Sequence, residues 1–187
     1  MKTNIIISLK LTLVLLIITA GLYPLLIAGV GKAAPGSGKG ETLSVNGNVV
    51  GYTRVGQKFT EDKYFWGRPS AVEYNAAGSA GSNKGPTNPD YLATVQARID
   101  TFLVHNSGIT KEQIPADLVT ASGSGLDPDI SPEAARIQIA RIARIRNIDT
   151  DKLEALVNEH IDGPFLGMFG PSKVHVLKLN IALDELK

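Results

Sequence analysis

The sequence predicts an α+β fold: a single N-terminal transmembrane helix, then a small mixed domain with about three helices and a small sheet. Three observations predict it. Residues 11–31 carry no charge, Asn46-Gly47 separates two β-favouring runs, and three later segments each join a helix-cap residue to an apolar stripe.

From Leu11 to Gly31 the chain is dominated by Leu, Ile and Val. At about 1.5 Å per residue, a helix of this length covers roughly 31 Å, the thickness of a bilayer's hydrocarbon core. Thr12 and Thr19 can bond back to the helix, and Pro24 is tolerated where neighbouring helices satisfy the carbonyl it orphans. Ala20, Pro24, Ala28 and Gly31 form a small-residue stripe that lets another helix approach closely. A cleaved signal peptide shares the basic start, and Gly29-Val30-Gly31 could precede a cut. Its apolar core runs only about 7–15 residues, however, so the length favours a retained anchor. Lys2 and Lys10 place residues 1–10 on the cytoplasmic side. Residues 11–31 are then the span, 32–42 a Gly-rich linker, and 43–187 an extracytoplasmic domain.

The charge balance supports this division. Of 187 residues, 19 are Lys or Arg and 18 are Asp or Glu, a formal charge of +1. Lys2 and Lys10 are the only charges before Lys32, so the remainder sits close to neutral. A balanced domain lacks the cationic surplus that phosphate backbones require, which argues against nucleic acid as a partner. Hydrophobic content of 43% argues against disorder. The absence of cysteine excludes disulfides, thiolate metal sites and a Cys nucleophile, and is compatible with an oxidising compartment.

Beyond the linker, Leu43–Val45 and Asn48–Tyr52 flank Asn-Gly, a hairpin signal because both turn positions need positive φ. Residues 57–88 then lack periodicity, as binding loops do. Asn88 caps a helix with Pro89 at its first position, and Leu92, Val95, Ile99, Phe102 and Leu103 form its apolar face. Ser131-Pro132-Glu133 opens a second, on which Ala135, Ile139, Ile142 and Ile145 share one face while Arg136, Arg141 and Arg144 occupy the solvated one. A third follows Asp149-Thr150 with Leu153, Leu156 and Val157 inward. The segment 174–183 reads as a mixed strand pairing near the first.

Catalytic patterns are incomplete. A phosphate loop around Gly38-Lys39 needs Gly at 33 and Ser or Thr at 40, where Ala33 and Gly40 stand. A nucleophile elbow centred on Ser124 needs Gly at Ser122. His105, His160 and His175 lack zinc spacing and read as surface or helix-end residues. Asp127 and Asp129 are too few for a hard cation and read as helix-entry solvation. Tyr64, Phe65, Trp66 and Arg68 are residue types found at interface anchors, and they equally suit a core or loop-pinning role. These residues leave open an accessory domain or an independent membrane-tethered enzyme or ligand binder.

Five ordered segments carry a resemblance: Gly56-Gln57-Lys58-Phe59, residues 64–71 (Tyr-Phe-Trp-Gly-Arg-Pro-Ser-Ala), residues 81–89, residues 117–132, and Val176 to Asp184. Together with the span they resemble the KdpC family, the C subunit of the bacterial Kdp potassium-transporting P-type ATPase. The resemblance implies a non-catalytic subunit of the cell inner membrane, needed for assembly, with hydrolysis carried by a different subunit. Its implied partners are a channel-like potassium-binding subunit, the P-type ATPase subunit and a small single-span peptide. It further implies a catalytic chaperone that raises ATP affinity through a ternary complex with nucleotide, whereas the span places this domain across the membrane from cytoplasmic ATP. His175 stands where the family often has Asn. The partner-facing residues expected on this basis are Ala20, Pro24 and Ala28 in the membrane, with Tyr64, Phe65, Trp66, Arg68, Asn83 and Asn88 outside.

Overall fold

A computed structural model describes residues 2–186 and divides the chain into two compact units, one ending at Thr42 and one beginning at Leu43. The first is a continuous helix over Lys2–Gly31, long and apolar enough to cross a membrane. It comprises α1 (Lys2–Leu16), a π-turn (Ile17–Leu22) and α2 (Tyr23–Gly31). The π-turn lies just upstream of Pro24, whose ring crowds the preceding turn. Tyr23 N–H reaches Ile18 O in consequence, and Thr19 Oγ1 donates to Leu15 O at 2.8 Å.

The second unit is α+β. Strands β1 (Thr42–Val45) and β2 (Asn48–Tyr52) form the expected hairpin, with Asn46 and Gly47 at φ 50° and 81°. Helix α3 (Pro89–His105) is capped by Asn88, whose Oδ1 accepts from Tyr91 N–H at 3.0 Å. It buries Ile99 and Phe102, while Leu92 is exposed, so the inward stripe is shorter than periodicity suggested. Strand β3 (Asp129–Ile130) precedes α4 (Pro132–Arg136), α5 (Ile139–Arg146) and α6 (Thr150–Glu159). The caps at Ser131 and Asp149 form as expected.

One helix was expected from Ser131 through Ile145, and two are present. Gln138 interrupts them: its side-chain Nε2 donates to Ala134 O at 2.9 Å, the carbonyl its own backbone would take in a helix, while its N–H goes to Ala135 O. The break changes the phase, which leaves Ile145 exposed and buries Arg141.

The carboxy-terminal segment also differs from expectation. Only Lys173–His175 is strand (β5); Val176–Glu185 is helix α7. Val176, Leu179, Asn180 and Leu183 recur at helical spacing on its buried face. His175 replaces the usual oxygen cap, its Nδ1 accepting from Lys178 N–H at 3.4 Å. Strand β5 is the middle of a three-stranded antiparallel sheet between β3 and β4 (Ile161–Asp162), with Val174 opposite both Ile130 and Ile161. It does not pair with β1. The core joins this sheet to α3–α7 through Phe102, Ile130, Ile142, Leu153, Val174 and Leu179, and it also takes in Phe65 from the long loop.

Candidate docking surface

Residues 56–88 contain neither helix nor strand, yet backbone groups of each residue from 62 to 66 are held by hydrogen bonds. Peptide groups without sheet partners must find others when buried, and here Gln138 at the α4–α5 break and side chains of α5 and α7 supply them. Asn180 bonds Phe65 reciprocally: Phe65 N–H donates to Oδ1 at 2.9 Å, and Nδ2 donates to Phe65 O at 3.0 Å. Gln138 does the same one residue on, accepting from Trp66 N–H at 2.8 Å and donating to Trp66 O at 3.2 Å. Arg141 donates to Asp62 O and, at 3.1 Å, to Tyr64 O; Arg146 donates to Lys63 O at 2.8 Å. Five consecutive residues are thus held by side chains acting as a neighbouring strand would.

Arg141 is the centre of this ladder. Its side chain is 0% exposed. Its Nε donates to Asn106 Oδ1 at 2.9 Å and its Nη2 to Gln138 Oε1 at 2.7 Å. The guanidinium lies 4.4 Å from the Trp66 ring centroid, a cation–π contact in a desolvated site. Burial lowers its pKa to about 10, against the smaller opposing pull of Asp62. Tyr64 lies under Arg146 at 4.9 Å and donates to Asp184 at 2.9 Å; burial and that bond raise its pKa.

Farther along, Arg68 pairs with Asp127 at 3.0 Å, and Tyr74 Oη donates to Arg68 O at 2.5 Å. Burial, and then the Asp127 charge, push the Tyr74 phenol up to about 12. Ser70 Oγ donates to Gly125 O at 2.7 Å and accepts from the N–H groups of Val72 and Tyr74. Gly125, at φ +68°, sits so close that a Cβ would lie 2.7 Å from Ala80 O. The Ser122–Gly125 stretch is therefore the seat of the 68–80 loop.

The expected site residues separate on this frame. Phe65 is wholly buried and Tyr64 and Trp66 are partly so, and the cation over Trp66 is Arg141 rather than Arg68. Arg141, read from sequence as solvated, is in the core because the α4–α5 break turns it inward. Asn83 is exposed at φ 53°, and Asn88 is occupied as the α3 cap. Ala20, Pro24 and Ala28 lie around the π-turn and α2. Sequence reading missed Gln138, Arg141, Arg146 and Asn180. The available signal was a polar side chain in phase with an apolar helical stripe, as Asn180 is with Val176 and Leu183.

The ladder presents Trp66, Arg68 and their neighbours to a cleft of about 400 Å³ against α3, floored by Phe59, Phe102 and Leu118 and rimmed by Lys58 and Arg98. His105 and His160 sit at helix ends, and His175 Nε2 lies 2.7 Å from Thr53 O. Among the described residues no three His, Asp or Glu side chains are placed to hold a metal ion.

The family described as "KdpC: K+-transporting ATPase, c chain" matches residues 5–185. The chain belongs to the KdpC family. Similar relatives share the name potassium-transporting ATPase KdpC subunit. That of Flavobacterium psychrophilum is 59% identical over 184 residues, covering 98% of this chain and 99% of its own. That of Bacteroides fragilis (strain YCH46) is 51% identical over 183 residues, 96% of each chain. The more distant one of Caldanaerobacter subterraneus subsp. tengcongensis is 42% identical over 182 residues, 96% of this chain and 94% of its own. The KdpC match thus takes in the apolar helix, the ladder and α7 together.

Proposed function

We propose that this chain is a non-catalytic accessory subunit of a potassium-transporting P-type ATPase complex, in which another subunit hydrolyses ATP. Its helix crosses the inner membrane with the amino end cytoplasmic and residues 43–187 outside. There the folded unit grips the larger potassium-binding subunit through the 64–70 and 81–89 loops, while the Ala20, Pro24 and Ala28 stripe packs within the bilayer. The observation that carries this reading is the ladder. A non-periodic loop ordered before any partner arrives loses little conformational freedom on docking, and such preorganisation favours association. Within this topology the subunit contributes assembly and stability, and ATP affinity responds only through the complex.

The test is affinity purification of the tagged full chain in mild detergent, with mass spectrometry of what accompanies it. Arg68→Ala combined with Asn83→Ala is expected to reduce recovery of the ATPase and potassium-binding subunits while Trp66 emission stays unchanged. Undiminished recovery and undiminished potassium uptake would refute the docking assignment.

A further inference from the structure

Between Asp162 and Lys173 the chain is uncharged: Gly163-Pro164-Phe165-Leu166-Gly167-Met168-Phe169-Gly170-Pro171-Ser172. The segment closes on itself. Phe165 N–H donates to Phe169 O at 2.8 Å and Phe169 N–H returns to Phe165 O at 3.0 Å, an isolated antiparallel bridge. Inside it, Gly167 N–H reaches Pro164 O at 2.9 Å and Met168 N–H reaches Phe165 O at 3.2 Å. Leu166, Gly167 and Gly170 adopt positive φ to make the turn.

The side chains stay outside. Phe165, Leu166, Met168 and Phe169 are 71%, 71%, 76% and 61% exposed. Four large apolar side chains projecting from one turn are not ordinary surface scatter, and such clusters mark a contact with protein or membrane. Two features favour lipid. A protein interface usually surrounds its apolar centre with a polar rim, and this ten-residue stretch offers no charged side chain for one. In an apolar medium, moreover, each backbone polar group needs an internal partner. The turn already satisfies the N–H groups of Phe165, Gly167, Met168 and Phe169, and Pro164 and Pro171 have none to satisfy, which leaves only those of Leu166 and Gly170 within residues 164–171. The same chain carries a helix able to cross a membrane. Residues 32–41, the stretch between that helix and β1, reach at most about 35 Å even when fully extended.

We infer that the 163–172 turn is a lipid-inserting wedge, its Phe165, Leu166, Met168 and Phe169 side chains entering the boundary between headgroups and acyl chains. The inference rests on the span being retained in the membrane, and it is independent of which loops dock on a partner.

The chain has no cysteine, so single labels can be placed cleanly. Phe165→Cys, Met168→Cys, Ser82→Cys and Leu15→Cys are each made in the full chain and labelled with an environment-sensitive fluorophore. Each is purified with whatever subunits accompany it, then placed in phosphatidylethanolamine–phosphatidylglycerol nanodiscs containing doxyl-labelled lipid. Labels at 165 and 168 should shift to the blue, lose emission to doxyl lipid and resist aqueous iodide, as the span label at 15 does; the label at 82 should show the reverse. Quenching at 165 and 168 by iodide alone would overturn the inference in favour of water. Protection from both quenchers would overturn it in favour of a protein cover. Either result with position 15 still quenched leaves the span intact, whereas an unquenched label at 15 removes the span and the wedge together.

Discussion

Replacing Asn180 with Leu perturbs the ladder at one peptide unit. The substitution keeps the branching and the number of side-chain heavy atoms and changes no charge, yet it removes both partners of Phe65, the acceptor at 2.9 Å and the donor at 3.0 Å. Phe65 is fully buried, so water does not replace them. An unsatisfied buried polar group costs about 1–3 kcal/mol, and two are created. Burying leucine in place of an amide returns about 1 kcal/mol, leaving a net loss of about 1–5 kcal/mol. Against a total stability of about 5–15 kcal/mol this is a large effect. The chain's single tryptophan, Trp66, is the next residue in the ladder and reports on it directly. Urea unfolding of the full chain in detergent, followed by Trp66 emission, should show the midpoint fall by about 0.5–2.5 M at a typical slope near 2 kcal/mol per molar. Lys178→Ala, on the exposed side of the same helix, should leave it in place. An unchanged midpoint for Asn180→Leu would refute the claim that side chains hold this loop.

Arg141→Met should cost more, about 3–5 kcal/mol by the same assay, because it leaves Asp62 O, Tyr64 O and Asn106 Oδ1 without their donor. Tyr74 supplies an alkaline signature. Its folded pKa is raised from 10.0 to about 12, so its contribution is intact below pH 10 and is lost as pH rises toward 12. Arg141, lowered from 12.5 to about 10, acts with the opposite sign in that window. The difference between the native chain and Tyr74→Phe, measured by urea unfolding from pH 9 to 12, isolates the tyrosine and should shrink toward high pH. Gly125→Ala should lower the thermal midpoint by an amount equivalent to about 1–3 kcal/mol, since the new Cβ meets Ala80 O at 2.7 Å in a left-handed conformation.

Much of the scaffold was legible because its signals are local. Asn46-Gly47, the Asn88-Pro89 and Ser131-Pro132 caps and the uncharged run to Gly31 each act within a few residues. The long loop was legible as irregular, but its ordering was not, because the ladder bonds that fix residues 62–66 to the helices span a large sequence separation: Trp66 to Gln138, Tyr64 to Arg141, Phe65 to Asn180. Arg141 misled for a related reason. Its helical phase depends on the break at Gln138, and that break is made by a side-chain amide rather than by Gly or Pro. At 174–183 the β-branched residues and the histidine obscured a helix whose cap is an imidazole nitrogen.

Residues 62–66, without regular secondary structure, are held by the ladder as firmly as core. Amide hydrogen exchange of the full chain tests it residue by residue. The ladder predicts protection of Phe65 and Trp66 N–H comparable to that of Leu179 in the buried face of α7. Exchange of Phe65 and Trp66 at the rate of the exposed amides near Ala77 would contradict it.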